Sequence, residues 1–545
     1  MFRHPNIIKG VATEQQFLFP VDVREWLPKN DVVYVILAIL DLLDLSDFHS
    51  KYRSDGIGSA FYDPRSMLGI IIYAMIRGEQ SSRKIEIACK YDIGYRIVAQ
   101  GLTPDHTTIF RFKQKNAREI KELFKQLALI IIESNITNIG TLAIDGTKIG
   151  ANASLSANRK AKTIEAELNR LFDESLNRDM QETNDGTTPD SMNYTVPDDL
   201  STNERRIKTL QDAMAVLKER QELEAEKQRE RIRNREEEEK ETGQKKRGRK
   251  PSEPPTVPSP DAKVNPTDPT SQIMSTRNGY IQGYNGQIVS TEDQIILVAE
   301  LTDEQNDKNQ LQPLMDKVNE LLESAQTDER PEAIIADSGY YSSQNVLYEM
   351  PGGLRLYIAP TKERNLQEPG PDDGFNSRLY EICRPAPGTH SPTIPELASI
   401  GTGVWHFYLD RDKPATQQEV CWMSMNSRVR SPSGRELYRK RKTMVEPIFG
   451  NMKHNMRFRR FSLKGMDKCE GEFALAALCH NIVKIFRNNL LENIQSYFQM
   501  NSRNGSSSGV GHHFFSSLKS ISHILSHFLS VSFIRGCPNP SMYCH

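Results

Sequence analysis

TLAID at 141–145 and AIIAD at 333–337 are the two runs on which the fold turns. Each is short and apolar, and each stops on an aspartate. Gly146 follows the first, and Ser338-Gly339 the second. A buried strand delivers a carboxylate to the edge of a sheet in this way. A third carboxylate, Glu446, lies in YRKRKTMVEPIFGNMK (438–453), which reads as one helix crowded with cations. A second basic run follows, Arg457, Arg459 and Arg460, interleaved with Phe458 and Phe461. A carboxylate among so many cations predicts an anionic partner or a metal ion at that helix face. Charge explains why three acids would gather. Mg²⁺ takes oxygen ligands, usually one or two carboxylates with waters and phosphate oxygens. Two such ions about 3.5–4 Å apart clamp both oxygens of an in-line phosphoryl displacement. Asp145, Asp337 and Glu446 are a donor set for that pair.

Outward from the two runs, Ala117–Asn135 reads as an amphipathic helix feeding a strand at Gly140–Asp145. GYIQGYNGQIVS (279–290) and DQIILVAELT (293–302) read as a hairpin. Asp307–Ser324 reads as a helix and Glu332–Asp337 as the next strand. Glu470–Arg487 is an apolar helix with Ala474, Leu475, Leu478, Ile482 and Ile485 on one face.

Toward the N-terminus, residues 1–30 form a Pro-broken arm, and Val32–Leu45 is an apolar helix too short to span a bilayer. Pro64 opens another, with Met67, Ile70, Ile71, Ala74 and Met75 at helical spacing. Thr103 or Asp105 caps a helix carrying Arg111, Lys113 and Lys115. These short helices read either as a helix-turn-helix-like unit or as a bundle with a solvated basic face.

Between the two aspartates, Lys160–Asn177 and Asn203–Lys240 are predicted long helices. The second starts with an apolar stripe, Ile207, Leu210, Met214 and Leu217, and continues as alternating charge. GQKKRGRKPSEPPTVPSPDAK (243–263) has the composition of an unfolded linker. Its Arg247-Gly248-Arg249 core fits an AT-hook-like peptide in a narrow minor groove, or equally a basic linker touching phosphates. Pro351–Ser431 is rich in Pro and Gly, with predicted strands at Arg355–Ile358, Gly403–Leu409 and Glu419–Met423. Its Trp405 and Trp422 either stack on an unstacked base or fill a core. From Asn501 the chain turns Ser- and Gly-rich, without a pattern that we can assign.

At 545 residues the chain needs two or three domains. The net charge of −1 does not by itself predict a nucleic-acid partner, but Arg435–Lys464 is strongly basic. Seven cysteines without a C-x-x-C pair argue against a disulfide framework and a zinc ribbon. The N-terminus lacks an apolar signal core, and no run of about 18 apolar residues occurs, so a cytoplasmic protein is expected.

The chain resembles the DDE transposases of bacterial insertion sequences. Their glutamate region reads Y-x2-R-x3-E-x6-K, matched here by Tyr438, Arg441, Glu446 and Lys453. Four residues rather than three separate Arg441 from Glu446, which turns Arg441 by about 100° round a continuous helix. Lys442 stands at the family spacing instead. The resemblance extends through TPDHTTIFRF (103–112), IDGTKIGANAS (144–154), GYIQGYNGQI (279–288), NDKNQL (306–311), IIADSGYYS (334–342) and VEPIFGNMK (445–453). It reaches from about Phe17 to Asn488 and is similar to the subgroup numbered eleven-eighty-two.

That resemblance implies an α/β fold with a ribonuclease-H-like mixed sheet and helices on both faces. It implies a helical DNA-binding domain at 1–135, and a catalytic core at 136–155, 279–350 and 432–495. A helical, charged insertion lies at 156–278, with a disordered AT-hook-like linker at 244–266. A β-rich insertion occupies 351–431, and a tail without assignment 496–545. It implies Asp145, Asp337 and Glu446 as catalytic metal ligands for two Mg²⁺, with Mn²⁺ able to substitute. Tyr438, Arg441, Lys453, Arg457, Arg459 and Arg460, with Arg111, Arg247 and Arg249, would bind DNA at the transposon ends and target, in a homodimer. The expected activity is strand cleavage and strand transfer. Two alternatives stay open: a related nuclease that does not join strands, and a non-catalytic DNA-binding copy.

Overall fold

A computed structural model describes residues 26–52, 61–184, 198–242, 251–348 except 256 and 278, 354–360 and 417–504. Arg247, Arg249, Trp405, the predicted strand Gly403–Leu409, most of the N-terminal arm and the tail beyond 504 lie outside these residues.

The N-terminal region is helical. Its helices are α1 (Val32–Leu42), α2 (Ser46–Ser50), α3 (Pro64–Ile76), α4 (Ser82–Tyr91), α5 (Ile93–Val98), α6 (His106–Lys115) and α7 (Ala117–Glu133). Local chemistry fixes the starts. The Asp31 carboxylate accepts the Val33 amide, and Pro64 occupies the first turn of α3 behind Asp63. Asp105, not Thr103, caps α6, accepting from the amides of Thr107 and Thr108.

The sheet begins with β1 (Thr141–Gly150). It continues after the insertion with β4 (Gln272–Thr276), β5 (Gly279–Thr291), β6 (Ile296–Thr302), β7 (Ala333–Ala336) and β8 (Arg355–Ile358). The order is β4-β5-β1-β7-β8, and β6 lies alongside the second half of β5. β1 runs antiparallel to β5 and parallel to β7, and β7 runs parallel to β8. The sheet is therefore mixed. β1 does not stop at Asp145 as expected but continues to Gly150, because β5 pairs with it along that whole length. The pairing with β7 does stop, at Ile144 opposite Ala336.

α10 (Leu311–Ser324) starts four residues later than expected, which leaves Asp307 in the preceding turn. After β8 the described chain resumes with α12 (Gln417–Arg430), preceded by the short α11 (Ser343–Leu347). The predicted strand Glu419–Met423 is thus helical. Cys421, Met425 and Val429 are buried at spacings of four, the helical period. Then come α13 (Pro432–Met444), α14 (Glu446–Gly450), a π-helical turn (Asn451–Asn455), α15 (Met466–Arg487) and α16 (Leu491–Asn504).

One continuous apolar core runs from Val33 of α1 through the sheet to Ile494 of α16. α15 is its axis, packing on α7, β6, α3 and α1. Leu475, Leu478, Ile482 and Ile485 of α15 are all essentially sealed from solvent, each contributing about 1.5–3 kcal/mol of burial.

The insertion has its own smaller core. α8 (Ala161–Asn184) and α9 (Asp198–Thr242) pack through Ala161, Ile164, Leu171, Leu210, Ala213, Met214 and Leu217. Val264 joins that cluster from the two-residue β3 (Lys263–Val264), which pairs with β2 (Arg159–Lys160). So the stretch expected to be unfolded over 244–266 is ordered where it is described. Gln221 and Gln228 of α9 donate to the carbonyls of Pro255 at 3.0 Å and Ser252 at 2.6 Å, laying the return chain back along the helix. Proline lacks an amide donor but keeps its carbonyl, and the helix uses one of these as an acceptor.

Candidate active site

The register of the parallel pair places the two strand aspartates together. Ile144 and Ala336 are the last partners, so Asp145 and Asp337 are the next residues on adjoining strands. Asp145 Oδ1 accepts the Gly146 amide at 2.8 Å, and its Oδ2 accepts Arg441 Nη1 at 3.2 Å. Both side chains are largely buried, 17% and 11% exposed. Burial pushes the Asp145 carboxyl up to about 7. Arg441 opposes that rise, while Asp337 and Asp307 add to it. Asp337 caps the 3-10 turn Ser338–Tyr340, its Oδ1 accepting the Gly339 amide.

Arg441 reaches Asp145 in spite of its shifted spacing, because the stretch 438–453 is not one helix. It breaks at Val445, between α13 and α14. Pro447 is the cause: it has no amide proton and its ring crowds the preceding turn. The 100° offset holds only for a continuous helix, and this one is interrupted there. Lys442 lies exposed. Tyr438 is buried, with the Arg441 guanidinium 6.0 Å from its ring centroid.

Glu446 opens α14 and is exposed. The structure brings Asp145 and Asp337 together on adjoining strands. Among the described residues no three His, Cys, Asp or Glu side chains form a metal-ligand cluster. The two aspartates do fit a divalent cation. They offer hard oxygen donors, and the raised Asp145 carboxyl marks buried negative charge that a cation would relieve.

Lys453 lies on the π-helical turn, a feature frequent at functional sites. Its Nζ donates to Thr147 Oγ1, two residues beyond Asp145 on β1. Burial holds its ammonium below the usual lysine range, Arg459 adding to that and Asp145 opposing it. Next to it the chain crosses the end of β1. The Gly150 amide donates to Arg459 O at 3.1 Å, and the Phe461 amide to Gly150 O at 2.8 Å. This locks an alternation. Phe458 and Phe461 are buried edge-to-face at 5.3 Å, while Arg457, Arg459 and Arg460 face solvent. Arg459 is further held by the carbonyl of Lys453 at 2.9 Å. The result is a cationic rim beside the strand that carries Asp145.

Of the remaining expected residues, Arg111 is exposed on α6, whereas Lys113 turns inward to Ser462 Oγ at 3.3 Å. Trp422 is 37% exposed on α12. The sequence reading missed Thr147 and Lys148 of β1, and Asn285 and Gln287 of β5. The last two are wholly buried amides in a strand. Amide side chains recurring inside a strand-like run were the available signal.

Residues 21–115, spanning α1 to α6, match the family model described as Transposase domain (DUF772). Residues 413–486, spanning α12 to α15 and holding Arg441, Glu446 and Lys453, match the model described as Transposase DDE domain. No curated protein and no solved structure matches the chain. The chain thus carries two transposase domains, the second of the DDE kind.

Proposed function

We propose that the chain is a DDE transposase of an insertion sequence, similar to the subgroup numbered eleven-eighty-two. It binds the terminal inverted repeats of its element, and cuts and joins DNA strands at the junction of Asp145 and Asp337. The observation that carries this reading is the pair of aspartates on adjoining strands, with Asp145 raised by burial and a cationic rim beside it. The strand order supports a ribonuclease-H-like core, with β6, β5 and β1 antiparallel and β7 and β8 parallel to β1. Among the described residues no helix is long and apolar enough to cross a membrane. Cytoplasmic location and a homodimer on DNA belong to the same proposal.

Asp145 and Asp337 would hold Mg²⁺, and Glu446, exposed on the adjoining helix, is the third carboxylate we assign to it. Mg²⁺ bound there supplies charge neutralisation at the reacting phosphate and activation of the attacking oxygen. The protein does the rest. Arg441 holds Asp145 in one orientation. Lys453 and the exposed Arg457, Arg459 and Arg460 bind the DNA backbone, and each phosphate contact makes binding more salt-dependent. Arg111 of α6 meets DNA from the N-terminal helices.

The test is Mg²⁺-dependent nicking and joining of duplexes carrying the element's ends. Wild type should nick and join, and Asp145→Asn and Asp337→Asn should each lose on the order of 1,000-fold, since several kcal/mol of transition-state stabilisation depend on the ion. Nicking without joining would assign a nuclease. End binding without nicking would assign a non-catalytic copy.

A further inference from the structure

The run NDKNQL (306–311) entered above only through the resemblance, with no role for its aspartate, yet Asp307 stands behind both strand acids. Asp307 lies in the turn before α10. Its Oδ1 accepts Asn285 Nδ2 at 2.7 Å and Gln287 Nε2 at 2.8 Å, and Lys148 Nζ is 3.6 Å away. Asn285 and Gln287 are opposite Lys148 and Gly146 in the β1–β5 register. The Tyr340 hydroxyl donates to Gln287 Oε1. The network therefore runs from Asp307, across β5, to the 3-10 turn that Asp337 caps.

The glycines that follow the two aspartates show how tightly Asp307 is fitted. A Cβ at Gly146 would lie 2.9 Å from Asp307 Oδ1 and 2.5 Å from Gln287 Nε2. A Cβ at Gly339 would lie 3.1 Å from Asp307 Oδ2 and 2.8 Å from Asp337 Oδ1. All four distances are shorter than the separation at which nonbonded atoms attract. Neither glycine has a positive φ. Backbone conformation therefore does not call for glycine here; room does. The shared contact at Gly339 also puts Asp307 Oδ2 and Asp337 Oδ1 within about 6 Å of one another.

We propose that Asp307 is a positioning residue of the active site. Held by Asn285, Gln287 and Lys148, it fills the space left by Gly146 and Gly339 and so sets the backbone that carries Asp145 and Asp337. This rests on the proposed function and adds a residue to it. With Oδ1 engaged by two amides and facing an ammonium, the carboxylate has one orientation. Both aspartates are thereby referred to one fixed point on the α10 side of the sheet.

A double-mutant cycle in the full chain tests it, with Asp307→Ala, Gly339→Ala and the pair. Cleavage is read at saturating end DNA, end binding by titration, and Mn²⁺ binding by paramagnetic resonance. Asp307→Ala should lower both the cleavage rate and Mn²⁺ affinity about 10–100-fold, the usual cost of losing a residue that orients a metal ligand. End binding should stay within about 2-fold of wild type. Gly339→Ala should be harmful alone and cost less in the Asp307→Ala background, since the contact with Asp307 Oδ2 is then gone while that with Asp337 Oδ1 remains. Asp307→Asn keeps the two amide hydrogen bonds and guards against a folding defect. It should melt like wild type and still cleave about 10-fold more slowly, because Lys148 has lost its partner charge. Losses that multiply in the cycle, or an Asp307→Asn enzyme with wild-type cleavage, would overturn the inference. Asp145→Asn runs alongside. If it cleaves like wild type, the proposed function fails and the inference with it. If it is inactive while the cycle is additive, only the positioning role fails.

Discussion

Asp145 and Asp337 sit on neighbouring strands whose partners hold the backbone, whereas Glu446 heads a five-residue helix just beyond a break in the chain. The strand acids are paired, capped and largely enclosed; the helix acid is exposed. The difference teaches that the site we propose would have a prebuilt half and a half that depends on local helix geometry. Buried negative charge in the prebuilt half is balanced by Arg441, which comes from the other half. The two regions are therefore coupled through one ion pair.

Breaking that pair should give the largest change in stability. Arg441→Ala leaves Asp145 buried without this counter-charge, at a cost of about 3–5 kcal/mol. The variant should melt well below wild type in EDTA, and Mg²⁺ should narrow the gap. Equal melting in EDTA would mean that the two regions are not coupled through Arg441.

Lys453 sharpens the comparison further, because its ammonium is tied to Thr147 of β1. Lys453→Ala should weaken end binding and also cost about 1 kcal/mol, one net hydrogen bond. Thr147→Val should show the same loss of stability with end binding intact. If both variants lose end binding equally, the hydrogen bond and not the cation is what DNA requires.

The smallest effect concerns His480 of α15, which ties the π-helical turn to the β5–β6 hairpin. Its Nε2–H donates to Gln294 O at 2.9 Å, and its Nδ1 accepts from Asn451 Nδ2 at 3.1 Å. Burial pushes its pKa down to about 4. The folded state thus favours the neutral ring, and the unfolded state binds more protons below about 6.5. Its contribution is complete above about pH 6.5 and is lost as pH falls toward 4, about 1 kcal/mol by pH 5.5. Chemical denaturation across this window should show a shallower slope for His480→Gln. An unchanged slope would assign the acid sensitivity to other groups.

The strand-borne half was legible in the sequence because an apolar run ending on Asp has few other meanings. What was not legible has particular causes. The continuation of β1 through Thr147 and Lys148 lacks an apolar alternation, and only pairing with β5 extends it. Glu419–Met423 reads as a strand when taken five residues at a time, and its helical spacing emerges only out to Val429. The Pro-rich return at 251–266 has a disordered composition, yet Val264 is 1% exposed against α8 and α9. Pro447 was the one overlooked signal that would have placed the helix break and restored Arg441 to the site. Asp307 lay in the quoted run NDKNQL but read as a helix start, because helix starts and turns use the same residue types.

The central claim is that Asp145 and Asp337 form the prebuilt half of a metal site and Glu446 the dependent half. Calorimetric titration of Mn²⁺ into wild type, Asp145→Asn, Asp337→Asn and Glu446→Gln tests this without DNA or turnover. The account predicts that each aspartate variant loses Mn²⁺ binding, while Glu446→Gln retains one ion with affinity reduced by about 10-fold. Loss of all binding in Glu446→Gln, or wild-type binding in Asp145→Asn, would contradict it.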